Sequence, residues 1–336
     1  MENNSPLKVV AIGGGNGLSS VLSGLKRYAK PADGGLPEVD ITAVVTVTDD
    51  GGSSGRLRRA FDVLPPGDIR NCMVALSEDS ALLARLFQYR FPAGRGLKGH
   101  NFGNLFLMAL TQVMGDFPDA VRASCEVLNI AGRIYPATSA NVVLEATLAN
   151  GVRVRGETNI SKSRTRIRSI RLIPGKAQPL DATLSALDQA DLITLGPGSL
   201  FTSVIPNLLV EGIPAAIRKS KAIKAHFVNL MWQPGETTEF RASDHIRAIH
   251  RHAHGKLLDY AVVNIRPIAQ ALRKRYAREM ALPVENDLDA IFRMGIEVMA
   301  GNLAQGGVKV RHDPAATAST VMKLAAEGRR RREQAE

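Results

Sequence analysis

The 336-residue sequence is 45% hydrophobic and 22% charged, so it holds ample apolar material for a core and falls outside the disordered class. Its net charge of +11 favours anionic partners: nucleotides, nucleic acid or an anionic membrane surface. Cys72 and Cys125 sit in no CxxC pair, Met1–Lys8 lacks an apolar signal segment, and no window offers about 20 consecutive apolar residues; a cytoplasmic protein with reduced, buried thiols and no transmembrane helix is expected.

Leu7–Ile12 is a short apolar run that reads as a buried strand and ends in Gly13-Gly14-Gly15-Asn16-Gly17. Leu18, Val21, Leu22, Leu25 and Tyr28 recur at helical spacing, which predicts a helix over 18–30. Asp33-Gly34-Gly35 and Pro37 break the chain before a second strand, Ile41–Val47. This β-α-β order predicts parallel strands with a right-handed crossover. With only 5% aromatic residues the core is expected to be aliphatic, as suits parallel sheets.

Asp68, behind Pro65-Pro66-Gly67, reads as the N-cap of a helix over 69–76. Helices over 82–89 and 104–114 flank a glycine-rich turn over 94–103. Val142–Leu148 and Arg153–Gly156 read as a hairpin around Asn150-Gly151. Further strands are expected at Ile170–Ile173, Leu192–Leu195, Ala215–Arg218, His226–Met231 and Tyr260–Asn264. From Arg153 to Lys176 eight basic residues stand against one acid, Glu157. Within that block Arg164, Arg166 and Arg168 alternate. On a strand they share a face, either as a solvated edge or as a surface for phosphate or a partner. The expected architecture is one large Rossmann-like α/β domain over 1–325, a mostly parallel sheet with helices on both faces. A basic disordered tail over 326–336 follows, where Arg329–Arg332 form a charge block.

Three loops could carry chemistry. Gly13–Gly17 follows a strand and opens a helix, where glycines allow close approach to the main chain and free N–H groups meet a phosphate. Its G-G-G-x-G spacing differs from the dinucleotide fingerprint. The second loop, Asp49-Asp50-Gly51-Gly52-Ser53-Ser54-Gly55-Arg56, sits at the carboxyl end of the second strand. Its paired carboxylates call for a hydroxylated substrate, a Mg²⁺ ion or Arg56. The third, Gly196-Pro197-Gly198-Ser199, repeats the logic of the first and adds the hydroxyls of Ser199 and Thr202; Ser199 is also a candidate helix cap. His100, Asn101 and Asn104 stand before an apolar helix and either cap it or read a ligand. Among His245, His250, His252 and His254 only His250 and His254 have zinc-ligand spacing, with no cysteine partner; a solvated helix end is the better reading.

The segments GGGNGLS, TDDGGSSGRLR, PPGDIRN, GHNFGN, GPGSLFTSVIPNLL and QPGET, in this order from Val9 to about Asp313, resemble the YvcK-like gluconeogenesis-factor family. That family is similar to CofD-type 2-phospho-L-lactate transferases, which join a phospholactyl group to a deazaflavin. The resemblance implies a binder of UDP-sugars such as UDP-N-acetylglucosamine, acting in cell morphogenesis and envelope synthesis during gluconeogenic growth. It also implies ligand roles for Tyr276, in KRYAREMALPV, and Arg311, in KVRHD. Asp68 and Asn71 of PPGDIRN join the ligand set. The chain departs from the family pattern at Asn16 and Trp232, where threonine is common, and in the residues after Leu324. The resulting expectation is a regulatory protein with no assigned catalytic residue or metal ligand. It needs no cofactor, with Mg²⁺ as an accompaniment. Its partners are a nucleotide-sugar, copies of itself and envelope-synthesis or regulatory proteins, not nucleic acid or a membrane interior. The alternative is a CofD-like transferase using a nucleotide-activated phosphorylated substrate.

Overall fold

A computed structural model describes residues 5–29, 37–77 and 81–334. The expected break at Asp33-Gly34-Gly35, the helix end at Lys30 and the last two residues of the expected tail lie outside the described residues. The strands are β1 (Leu7–Gly13), β2 (Val39–Val45), β3 (Arg133–Pro136), β4 (Val143–Leu148), β5 (Arg153–Arg155), β6 (Ile167–Ile173), β7 (Leu192–Leu195), β8 (Ile223–Phe227), β9 (Tyr260–Asn264), β10 (Glu297–Gly301), β11 (Ala304–Gln305) and β12 (Arg311–His312).

Seven of them form one sheet in the order β10-β9-β8-β7-β1-β2-β3, every neighbouring pair parallel. The central strands are buried almost end to end: Val9 to Ile12, Ile41 to Val45 and Leu192 to Leu195 are shut from solvent. That burial is why they read as continuous apolar runs without alternation. Helices flank the sheet, and one contiguous aliphatic core runs through the chain. An antiparallel sheet, β5-β4-β6, and a two-stranded ribbon, β11-β12, complete it. Strand order runs outward from β1 through β2 and β3 on one side, and from β7 through β8, β9 and β10 on the other. The junction of β1 and β7 is therefore a topological switch point.

The helix Gly15–Ala29 buries Leu18, Val21, Leu22 and Leu25. Its Gly24 lies so near the final helix, Pro314–Gln334, that a Cβ there would stand 2.0 Å from the Pro314 carbonyl oxygen. At the other end of that final helix a Cβ on Gly328 would stand 1.9 Å from the Asp191 carbonyl oxygen. Arg329 is buried beside it: its Nη2 donates to Asp191 Oδ2 at 2.7 Å and its Nη1 to the Ser5 carbonyl at 3.1 Å. The residues expected as a frayed tail are thus the last turns of a docked helix, because the buried Asp191 pairs with two arginines of the charge block, Arg329 and Arg332.

Other expectations need correction. Ala215–Arg218 is part of a helix, Ile213–Lys219, with Gly212 at its N-cap and Pro214 in its first turn. β8 begins earlier than expected and ends at Phe227. Asp68 is not an N-cap: the helix Gly67–Leu76 starts one residue earlier, with Pro66 at the cap position. Of the alternating arginines only Arg168 lies in a strand; all three are exposed, and Arg166 stacks over the Phe240 ring at 5.1 Å. The histidine-rich helix end is not simply solvated, since His245 and His252 are buried and His252 Nε2 accepts the Ile170 N–H at 3.2 Å. Among the described residues no single helix is long and apolar enough to cross a membrane.

Candidate functional site

The loops that end β1 and β7 meet at the switch point. Gly15 adopts a φ of +59° as the helix Gly15–Ala29 begins, and Gly196 one of +76°. A Cβ on Gly17 would stand 2.2 Å from the Pro197 carbonyl oxygen, and one on Gly14 2.6 Å from Asp68 Oδ2. Glycine is required at both places because backbone or a carboxylate already fills the space a side chain needs. A cleft of about 1140 Å³ opens over this contact.

Of the residues singled out from sequence, Gly14, Gly15, Asn16, Gly17, Asp49, Asp68, Asn71, Asn101, Gly198, Ser199, Tyr276 and Arg311 line the cleft. Gly13 and Gly196 form the turns beneath it, where the Gly13 carbonyl accepts the Thr46 N–H at 2.9 Å. Asp50 lies outside the lining, against the expectation that both aspartates share its centre. Its Oδ1 accepts the Thr158 N–H at 2.8 Å, and a Cβ on Gly156 would stand 2.1 Å from its Oδ2. Adjacent side chains of an extended segment point opposite ways, so Asp49 faces in and Asp50 faces the segment after β5.

Gly51, Gly52, Ser53 and Ser54 also stand apart from the lining. They open the helix Gly52–Phe61, and their hydroxyls brace it. Ser53 Oγ lies 3.1 Å from His100 Nδ1, and Ser54 Oγ accepts from Asn104 Nδ2 at 3.3 Å. His100 and Asn104 therefore join that helix to a later one, Phe102–Met114, which Asn101 caps. Arg56 is exposed and donates to the Lys98 carbonyl at 3.0 Å. Thr202 donates to Glu236 Oε1 at 3.3 Å.

Sequence reasoning passed over several lining residues. Ser19, Ser20, Ser23 and Lys26 form a polar stripe along the helix Gly15–Ala29, a signal visible in its spacing. Arg70, Arg90, Glu157, Asn229, Gln233 and His312 arrive from elsewhere in the chain. Asn229 Nδ2 donates to Gln233 Oε1 at 3.1 Å, and Gln233 Nε2 donates to Ser199 Oγ at 2.6 Å. Ser199 Oγ thus accepts one bond and keeps its O–H as a donor on the cleft lining.

The cleft is electrically divided. Burial and then the Asp49 charge push the Asp68 carboxyl up to about 7, against the stabilising N–H of Gly15. Burial and then Asp49 and Asp68 push Glu157 up to about 9. Burial lowers the Arg70 guanidinium, and the like charge of Arg90 lowers it further. Just behind the third loop, burial pushes Glu236 up to about 7, where its carboxyl accepts the Phe201 N–H. Among the described residues no three His, Cys, Asp or Glu side chains are grouped to hold a metal ion by themselves.

Parallel strands, a switch point and two glycine loops meeting at the carboxyl edge of the sheet define an α/β protein of the Rossmann-like class. Residues 9–304 match the family of 2-phospho-L-lactate transferase CofD. The chain belongs to that family and, within it, with the gluconeogenesis factors. It is 43% identical over 318 residues to the gluconeogenesis factor of Bacillus subtilis, covering 94% of this chain and 98% of that one. It is 45% identical over 288 residues to that of Halalkalibacterium halodurans, covering 86% and 87%. Among solved structures it is similar to a Bacillus halodurans protein of the UPF0052 family, with a TM-score of 0.89 and 42% identity over 95% of this chain and 99% of that one.

Proposed function

We propose that the cleft binds a UDP-sugar of the UDP-N-acetylglucosamine type, and that the chain is a cytoplasmic binding and regulatory protein required for cell morphogenesis and envelope synthesis during gluconeogenic growth. The observation that carries this reading is the contact of the Gly13–Gly17 and Gly196–Ser199 loops at the switch point, with Tyr276 and Arg311 on the same cleft. The N–H groups opening the helix Gly15–Ala29 and the Ser199 hydroxyl suit a diphosphate. Arg311 supplies a forked cation for it. The Tyr276 hydroxyl accepts the Val310 N–H at 3.2 Å, which fixes the ring beside the Arg311 strand with the Arg275 guanidinium over it at 5.4 Å, and the ring is the aromatic surface on the cleft that a base or sugar would meet.

The reading needs no resident cofactor. The oxygens of Asp49, Asp68 and Glu157 suit a hard divalent cation such as Mg²⁺ only in company with the ligand's own phosphates, the usual habit of that ion. The second reading is a CofD-like transferase, favoured by the family match and by clustered carboxylates that would hold Mg²⁺, the ion that would supply the positive charge a phosphoryl reaction needs. Calorimetric titration with UDP-N-acetylglucosamine, UDP-glucose, GDP and NAD, with and without Mg²⁺, separates the two. Saturable UDP-sugar binding without turnover supports the regulator. Binding of GDP alone, or turnover of a nucleotide-activated phospholactate, overturns it in favour of the transferase.

A further inference from the structure

Two arginines on one wall of the cleft have no role in the nucleotide-sugar reading. Arg70, on the helix Gly67–Leu76, and Arg90, which pairs with Asn101 in an isolated bridge, both face the cleft alongside Asn71 and Gln88. These residues follow β2 in the chain, whereas Gln233, Tyr276 and Arg311 come from segments that follow β8 and β9. β2 and β8 stand three strand spacings apart in the sheet, about 14 Å.

Both guanidinium groups are held in place by neutral acceptors. Arg70 Nη2 donates to Asn71 Oδ1 at 2.5 Å, and its stem packs so closely that a Cβ on Gly103 would stand 2.9 Å from Arg70 Cδ. Arg90 Nη1 donates to the Gly99 carbonyl at 2.7 Å. Neither forms an ion pair at contact distance among the described residues, although Asp68 and Asp49 attract Arg70 from farther off, and the buried Nε of Arg70 has no hydrogen-bond partner. Two like charges on one wall repel each other, and a buried N–H without an acceptor carries a desolvation cost that nothing repays. An anion with several oxygens answers both. The cleft, about 1140 Å³, also exceeds the 300–1,000 Å³ usual for a single small ligand.

We propose that Arg70 and Arg90 form a second anion subsite, which takes the phosphate group of a small molecule bound beside the nucleotide-sugar. A phosphate dianion matches two guanidinium charges, whereas a carboxylate leaves one unmatched. Only the identity of the neighbour rests on the proposed function; the subsite itself does not. It makes the protein a reader of two anionic metabolites, or places the anionic end of an acceptor if the site transfers a group.

The test is a titration of the full chain with inorganic phosphate, in calorimetry and ³¹P line broadening, first alone and then saturated with UDP-N-acetylglucosamine. Saturable phosphate binding that persists at saturation is expected. It should weaken tenfold or more in Arg90→Met, an exposed substitution compatible with folding, and in Arg70→Met, with Arg90→Lys in between. Phosphate binding unchanged in Arg90→Met, or abolished by the nucleotide-sugar, overturns the subsite. If the nucleotide-sugar fails to bind at all, the Arg90 dependence of phosphate binding to the free protein still decides the matter.

Discussion

The backbones of Gly17 and Pro197 touch: a Cβ on Gly17 would stand 2.2 Å from the Pro197 carbonyl oxygen and 2.8 Å from the Gly198 Cα. Two loops from distant parts of the chain are thereby fixed against each other at the carboxyl ends of paired strands β1 and β7. The edge of the cleft where the two loops meet is set by that contact.

Gly17→Ala is therefore expected to push the loops apart. Overpacking of this kind costs about 1–3 kcal/mol, and rigid backbone on the far side offers no easy relief. Urea denaturation should show the loss in the midpoint with little change in slope. A stability equal to that of the wild type would show that the loops are not in contact.

The Arg329–Asp191 pair makes a second prediction. Asp191 is fully buried, and Arg329 Nε and Nη2 reach its two carboxylate oxygens at 3.1 and 2.7 Å. Among the described residues, Arg329→Met leaves the buried Asp191 carboxylate with only the Lys8 N–H at 2.8 Å and the longer Arg332 contact at 3.6 Å, at a cost of up to about 3–5 kcal/mol. The double variant Asp191→Asn with Arg329→Met should recover much of it. A loss of less than about 1 kcal/mol in the single variant would return these residues to the status of a frayed tail.

His226 and His312 set the acid branch of the stability curve. Burial and then His245 bring the His226 imidazole down to about 3, and burial brings His312 down to about 4, from an ordinary 6.5. Below pH 6.5 the unfolded chain takes up protons that the folded chain refuses. The stability linked to neutral burial is thus fully present above 6.5 and lost as pH falls toward the folded values. The stability difference between wild type and His226→Gln should be constant above pH 6.5 and shrink between about 6 and 3. A difference that ignores pH would mean that His226 is not buried as a neutral ring.

The central strands were legible because full burial writes itself as unbroken aliphatic runs, and Leu192–Leu195 and Tyr260–Asn264 have the expected bounds. Ala215–Arg218 was not, because four residues cannot separate strand from helix; the cue was Gly212 and Pro214 just before it. Arg329 misled for a different reason: its partner lies 138 residues away, and composition alone reads a charge block as solvated. In the site, glycine loops announce themselves through their chemistry. Asp49 and Asp50 do not announce which way each points, and Ser53, Ser54, His100 and Asn104 turned out to bind one another. Arg70, Arg90 and Glu157 come from separate elements, so only the folded chain brings them to one cleft.

The most direct measurement is calorimetric titration of the purified protein with UDP-N-acetylglucosamine, repeated on Tyr276→Ala and Arg311→Ala. Saturable binding to the wild type is predicted, weakened tenfold or more in each variant, the size expected for losing about 1.4 kcal/mol of contact. Binding that both variants retain in full, or no binding of any UDP-sugar, would contradict the account.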